Sequence, residues 1–213
     1  MAEAEREPDA VAYYHRTAAS LASCYDSVAF EDVHATLLGY LPSRPSRVLD
    51  VGAGSGRDAR ALARRGHRVT AVEPAKSLRR LGRMASPGVE WIDDRLPDLT
   101  QLANSGRRYE FILCSAVLMS LPPSDLEPSL AAMRALLDGS GRLAVSLRDP
   151  LSHERVLYRH SDTAVSAAAD EAGLRLIAFS RAADALGRGF DWRSYLFEPE
   201  VDVDVSSRLV PKP

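Results

Sequence analysis

Cysteine is nearly missing from this 213-residue chain, with Cys24 and Cys114 the only two. They can build no disulfide framework, and neither has a partner at metal-ligand spacing. No run of about 18 apolar residues occurs, so no membrane-spanning helix is expected. Neither sign of charge dominates. Twenty-seven basic and 29 acidic residues leave a formal net charge of −2, which argues against the basic footprint of a nucleic-acid binder. Lysine is scarce: Lys76 and Lys212 stand against an otherwise all-arginine set. His-Glu-x-x-His, Cys-x-x-Cys and Gly-Lys-Ser/Thr strings are lacking, so neither a zinc site nor a P-loop is expected, and no metal. The run Gly52-Ala53-Gly54-Ser55-Gly56 has glycine at its centre, where a hydrolase elbow needs serine. The opening stretch MAEAEREPDA is polar and acidic, the opposite of a secretory signal, and a cytoplasmic location is expected.

What is present is an ordinary globular composition, 46% hydrophobic and 26% charged, in a length that fits one domain with a small extension. Val11, Tyr14, Ala18 and Leu21, then Val33, Leu37, Leu38 and Leu41, recur at helical steps. They predict a helical extension over residues 1–41, serving as a cap on the core or as a lid over a ligand. Pro42 and Pro45 end it, and residues 42–213 form the main domain. There, short apolar runs alternate with helical stretches. Strands are expected at Arg47–Val51, Arg68–Glu73, Val89–Asp93, Tyr109–Ser115, Arg142–Leu147, Leu174–Arg181 and Phe190–Glu198. Helices are expected at Arg57–Arg65, Ala75–Ala85, near Pro97–Ala103, at Ser124–Leu137 and at Ser161–Ala172. This alternation predicts an α/β fold with a mostly parallel sheet. Only about eight residues, 182–189, join the last two strands. A parallel crossover needs a dozen or more, so an antiparallel edge strand is expected.

The most informative segment is Val48-Leu-Asp-Val-Gly-Ala-Gly-Ser-Gly-Arg57. A buried strand runs into Gly52, Gly54 and Gly56, and a helix follows. Glycine permits a sharp turn and close approach of a ligand to the backbone, and the helix start offers unpaired N–H groups. A dinucleotide fingerprint needs glycines spaced G-x-G-x-x-G, and its third position here is Arg57. Asp50, just ahead of the loop, disfavours a pyrophosphate and favours a cationic group. The second strand ends in Val72-Glu73-Pro74, about twenty residues past the loop, where a carboxylate can accept the two hydroxyls of a ribose. Together these features point to an adenosine-type ligand.

On these residues the chain resembles the class I, Rossmann-like, S-adenosylmethionine-dependent methyltransferases. Val48–Gly56 carries the first motif and Val72-Glu73-Pro74 the second; Trp91-Ile-Asp-Asp94 matches the third less cleanly. Tyr109–Pro122 and Leu136–Leu147 match the fourth and fifth, and the likeness covers roughly residues 10 to 181. It implies a doubly wound, seven-stranded sheet with one antiparallel edge strand, and S-adenosylmethionine as cofactor. By the same resemblance, Gly52, Ala53, Gly54 and Gly56 would hold the methionine part, and Asp50 would face its amino group. Glu73, beside Pro74, would hold the ribose. Asp93 or Asp94 would take the adenine, with the choice open. Ser115 and Ala116 would lie beneath the sulfonium, and Tyr13 or Tyr14 would close over it, where an aromatic face favours a cation by about 0.5–2 kcal/mol.

Ser120 stands where many relatives carry histidine, which leaves the catalytic base unassigned. His15, His153 and His160 are scattered candidates, His34 reads as a surface residue, and Arg148-Asp149 lie where an acceptor could be met. Methyl transfer is an in-line displacement, in which alignment alone can supply about 7–11 kcal/mol. A base is required only for a nucleophile holding a high-pKa proton. After the fourth strand the chain has Cys114-Ser115-Ala116-Val117, not the Asn/Asp-Pro-Pro-aromatic string of enzymes that methylate DNA-base amino groups. Neither cysteine follows a proline, as the cytosine-carbon enzymes require. A small-molecule acceptor is therefore expected, with the oligomeric state open. A nicotinamide-dependent oxidoreductase and a non-catalytic S-adenosylmethionine-binding protein are the alternative readings.

Overall fold

The computed structural model describes residues 9–200. The acidic opening stretch up to Pro8 and Lys212 lie outside them. Three short helices come first, α1 (Ala10–Arg16), α2 (Ala18–Asp26) and α3 (Phe30–Val33), followed by a 3₁₀ turn at Leu38–Tyr40. Strands and helices then alternate: β1 (Arg47–Val51), α4 (Arg57–Arg64), β2 (Arg68–Val72), α5 (Lys76–Ala85), β3 (Glu90–Ile92), α6 (Thr100–Ala103) and β4 (Tyr109–Ser115). The chain continues through α7 (Leu126–Leu136), β5 (Leu137–Leu147), α8 (Asp162–Glu171), β6 (Leu174–Ala183) and β7 (Asp191–Pro199).

The seven strands form one sheet in the order β3-β2-β1-β4-β5-β7-β6. All pairings from β3 to β5 are parallel, while β7 runs antiparallel to both β5 and β6. The reversed direction thus falls at the edge of the sheet where the short last connection places it. Within that edge, β7 is the reversed strand and takes the second position, with β6 outermost. Phe197 pairs with both Leu143 and Leu176. Phe197 and Tyr195 are fully buried, and this apolar content draws β7 inward. After its buried first residue, Leu174, β6 is exposed or half-buried throughout, as a strand with one neighbour can be.

β5 begins earlier than Arg142. Its pairing jumps from Tyr109–Leu137 to Phe111–Arg142, so Asp138–Gly141 form a bulge against β4 rather than a turn outside the sheet. Apolar residues close both faces. Leu126, Leu130, Met133 and Leu136 recur at three- and four-residue steps along α7 and join one cluster with Leu143 and Val145. Ala59, Ala61 and Leu62 of α4 join Val48, Val69 and Phe111 in the other.

The N-terminal helices bridge α5 and α4. Ala18 packs with Ala75 and Leu78; Phe30 and Leu37 enter the α4-side cluster. Polar links fix the second contact: Asp26 accepts from Arg60 at 2.5 Å, and Glu31 pairs with Arg65. His34 corrects its reading as a surface residue. It is 1% exposed, with Nε2 2.9 Å from Asp58 Oδ2 on α4. The periodicity did place Leu37 in the core, and a buried position three residues ahead of it can face the same way.

Candidate functional site

The C-terminal ends of β1, β2, β4 and β5 meet at one edge, the place where open parallel sheets bind ligands. β1 delivers the glycine loop. Gly52, Gly54 and Gly56 have φ of 70°, 56° and 84°, a region that L side chains rarely adopt. A Cβ on Gly52 would sit 2.4 Å from Val117 Cγ2, and one on Gly56 2.8 Å from the Trp91 ring. The loop is therefore pressed between the turn after β4 and the third strand. At Gly52 and Gly56 a side chain does not fit its path. The Gly56 carbonyl accepts from Arg60 at 2.9 Å, which starts α4 directly behind the loop.

β2 delivers Glu73, 5% exposed. Its Oε2 accepts the Gly54 N–H at 2.9 Å, and its Oε1 accepts the Ala75 N–H at 2.7 Å. Burial pushes this carboxyl up, and the two backbone N–H groups pull against that rise. Each oxygen keeps a further lone pair for a ligand hydroxyl. Pro74 follows, and its carbonyl accepts from Arg79 at 3.1 Å. The glycine loop and the acid, expected to be separate contacts, are thus one bonded unit.

Asp50 lies beneath the loop, 2% exposed, with Oδ2 lacking any hydrogen-bond partner. Burial and the neighbouring Asp58 carboxylate push its carboxyl well above the usual range, and Arg57 opposes the rise. Asp58 behaves in the opposite way. Burial raises it, but His34 and Arg57 together hold it well below the usual range. Arg57 donates to Asp58 through Nε at 2.6 Å and Nη2 at 3.0 Å. A buried acid with an orphan oxygen next to a loop of N–H groups suits a ligand that carries both a cationic and an anionic end, as an amino acid does.

The acids after β3 divide. Asp94, 8% exposed, accepts the N–H groups of Arg95, Gln101 and Leu102 at 3.0, 2.8 and 3.0 Å. It is occupied in holding the start of α6. Asp93 is 63% exposed at its side chain and meets Arg79 Nη2 at 2.6 Å. Of the two, Asp93 is the one a ligand can reach.

β4 ends in Ser115, whose hydroxyl lies 2.9 Å from that of Ser146 on β5. Ala116 has a φ of 60°, a left-handed turn that sends the chain back over Gly52 through Val117. Tyr14 reaches this edge from α1, and its hydroxyl lies 3.2 Å from Ser120 Oγ. Burial pushes the Tyr14 phenol up.

Several contributors escaped the sequence. Tyr25 of α2 lies over the loop, its ring 3.5 Å from where a Gly54 Cβ would be. No spacing rule brings residue 25 to residue 54. Phe190, just before β7, stacks on the guanidinium of Arg148 at 4.1 Å, a contact made only when β7 takes its place beside β5. The scattered histidines lie in three different settings. His160 is 2% exposed, its Nε2 3.0 Å from the Leu118 carbonyl and 3.1 Å from that of Leu121. His15 Nδ1 accepts the Ser77 N–H at 3.2 Å, and His153 is exposed in the loop after β5. Among the described residues no cluster of three or more His, Cys, Asp or Glu side chains converges, and no helix is long and apolar enough to cross a membrane.

Comparison with known proteins agrees with this geometry. A ubiquinone biosynthesis O-methyltransferase from Xylella fastidiosa is 35% identical over 109 residues, covering 50% of this chain and 43% of that protein. This chain therefore spans less than half the length of that curated relative. A crystal structure of a 1,6-didemethyltoxoflavin-N1-methyltransferase from Burkholderia thailandensis superposes with a TM-score of 0.71 at 22% identity, over 90% of this chain and 87% of that one. A TehB-like SAM-dependent methyltransferase from Corynebacterium glutamicum gives a TM-score of 0.66 at 19% identity, over 91% and 100% of the two chains. At such identities the superpositions show the fold. The family profile described as a methyltransferase domain matches residues 22–184. Glycine loop, strand-end acid and strands β1 to β6 fall within that span, and the chain belongs to the methyltransferase-domain family.

Proposed function

We propose that this protein is an S-adenosylmethionine-dependent methyltransferase acting on a small-molecule acceptor. The observation that carries the reading is the bonded unit of glycine loop and strand-end acid, in which Glu73 takes the Gly54 N–H at 2.9 Å. It presents backbone donors and a buried carboxylate side by side. When bound, S-adenosylmethionine supplies an electrophilic methyl group on a sulfonium.

The chain's own residues then bind, orient and exclude water. The N–H groups of the loop receive the carboxylate end of the cofactor, and Asp50 lies beneath, suited to its amino group. Glu73 receives the ribose hydroxyls, Asp93 the adenine amino group. Ser115 and Ala116 form the floor under the sulfur. Tyr14 and Tyr25 cover the site from the N-terminal helices, so that the extension, described from residue 9 to 41, serves as a lid in function as well as a cap in packing. Arg57 occupies the position where a dinucleotide fingerprint needs its third glycine, and its guanidinium is tied to Asp58.

A small-molecule acceptor is supported by two relatives. The Xylella protein is named for O-methylation in ubiquinone biosynthesis, and the Burkholderia structure holds 1,6-didemethyltoxoflavin with S-adenosylhomocysteine. A cytoplasmic location and no nucleic-acid partner complete the reading. Calorimetric titration with S-adenosylmethionine and S-adenosylhomocysteine tests it. Saturable binding of both is expected, and failure of both to bind refutes it.

A further inference from the structure

The acceptor end of the site lies where Tyr14, Ser120 and the residues after β5 meet. Arg148 is the first residue beyond β5 and is 7% exposed. Its guanidinium is fixed from three sides. Phe190 stacks on it at 4.1 Å; Nη1 donates to the Asp149 carbonyl at 3.0 Å and to Glu154 Oε2 at 2.6 Å; Nη2 donates to Glu154 Oε1. A guanidinium carries five N–H donors. These bonds use three and leave Nε–H and one Nη2–H. The Arg148 backbone N–H meets Met119 Sδ at 3.5 Å, one residue before Ser120, whose Oγ lies 3.2 Å from the Tyr14 hydroxyl. A phenol is protonated at neutral pH in any case, and burial pushes this one further up.

The groups around this end are therefore donors and not bases. Among the described residues, each neighbouring carboxylate is tied to an arginine: Glu154 to Arg148, and Asp149 to Arg159 and Arg193. His160 is bound to backbone carbonyls through Nε2, and His153 faces solvent in the loop after β5. A nucleophile that had to lose a high-pKa proton would find these carboxylates already engaged by arginine. One that arrives ionised needs none.

Resting on the methyltransferase reading above, we propose that the acceptor is an oxyanion whose charge is shared over two oxygens, a carboxylate or a conjugated enolate-type group, received by Arg148 together with the Tyr14 and Ser120 hydroxyls. One oxygen stays on the guanidinium while the other attacks. The reaction then balances without a base. The attacking oxygen forms its bond to the methyl carbon, the carbon–sulfur bond breaks with its electron pair left on sulfur, and no proton moves. Anion and sulfonium disappear together, so enclosure from water favours the step. Glu154 holds the guanidinium in plane and offsets part of its charge, which sets how strongly the anion is held.

The test uses binding to the complex of the full chain with S-adenosylhomocysteine, with three probes of one shape: cinnamate, cinnamyl alcohol and cinnamylamine. Cinnamate is expected to bind about tenfold or more tighter than the amine, as an unmatched charge preference gives. Arg148→Met should abolish that preference. Glu154→Gln should enlarge it severalfold, because the guanidinium loses its counter-charge. A purely structural Arg148–Glu154 pair would weaken binding in both variants, so the Gln variant decides even where the Met variant fails to fold. Equal or reversed preference for the amine, or no cinnamate binding at roughly millimolar concentration (a few kcal/mol of affinity), overturns the proposal. Failure of S-adenosylhomocysteine itself to bind would instead overturn the methyltransferase reading.

Discussion

Replacing Glu73 by glutamine probes the site at its most constrained point. The carboxylate is 5% exposed and accepts one backbone N–H on each oxygen. Glutamine keeps the shape, keeps one oxygen and turns the other into an NH₂ group. That group must face either the Gly54 or the Ala75 N–H, donor against donor. It also offers the ribose a donor where a charged acceptor stood. A hydrogen bond to a charged group contributes about 1.5–3 kcal/mol, so the loss of one such bond to the ribose and the weakening of the other sum to about 2–3 kcal/mol. At about 1.4 kcal/mol per tenfold change, affinity for S-adenosylmethionine should fall by about 30- to 150-fold. The unliganded fold should suffer less. Burial already makes the Glu73 charge costly, and relief of that cost offsets the lost backbone bond. Calorimetry gives the affinity and thermal unfolding the stability. An affinity within about threefold of wild type, beyond the scatter expected for one lost charged bond, would refute the ribose assignment. A collapse of the melting temperature would show Glu73 to be a structural strut.

Other substitutions separate neighbouring roles. Gly52→Ala places a Cβ 2.4 Å from Val117 at a φ of 70°, and should abolish cofactor binding in a chain whose unfolding temperature still defines a folded state. Asp94→Asn should lower stability by about 1–3 kcal/mol, since buried N–H groups lose a charged acceptor; Asp93→Asn should spare stability and weaken adenosyl binding instead. His34→Ala strips one of two partners from buried Asp58, Arg57 remaining, and should cost about 1–3 kcal/mol, or a fall of about 2–12 °C in melting temperature for a chain of this size. The acids beneath the loop give a pH signature. Asp50 and Glu73 have raised carboxyls, so between their ordinary values near 4 and their folded values the native state binds more protons than the unfolded one. Stability of the unliganded protein should therefore decline as pH rises through that window, and Asp50→Asn should flatten the decline in denaturant titrations run across pH.

The glycine loop, Glu73 and the strand–helix alternation were legible because each is local. Gly52-Ala-Gly-Ser-Gly56 can take only a few paths, and a strand-end acid twenty residues on lies beside it by the geometry of one βαβ unit. The antiparallel edge followed from connection length alone. The position of β7 between β5 and β6 did not, because it depends on the burial of Tyr195 and Phe197 against strands distant in sequence. His34 and Tyr25 belong to the same class. Their partners, Asp58 and the Gly54 backbone, are fixed by how the N-terminal helices lie across α4. Asp93 and Asp94 are adjacent and chemically alike, and only the path of the backbone into α6 decides which of them is occupied.

The most direct check is a pair of calorimetric titrations on the purified chain, one with S-adenosylmethionine and one with a reduced nicotinamide dinucleotide. Saturation by the sulfonium compound at micromolar concentration, about −8 kcal/mol of binding free energy, with no response to the dinucleotide, is the expected result. Saturation by the dinucleotide, with no heat from the sulfonium compound, would contradict it.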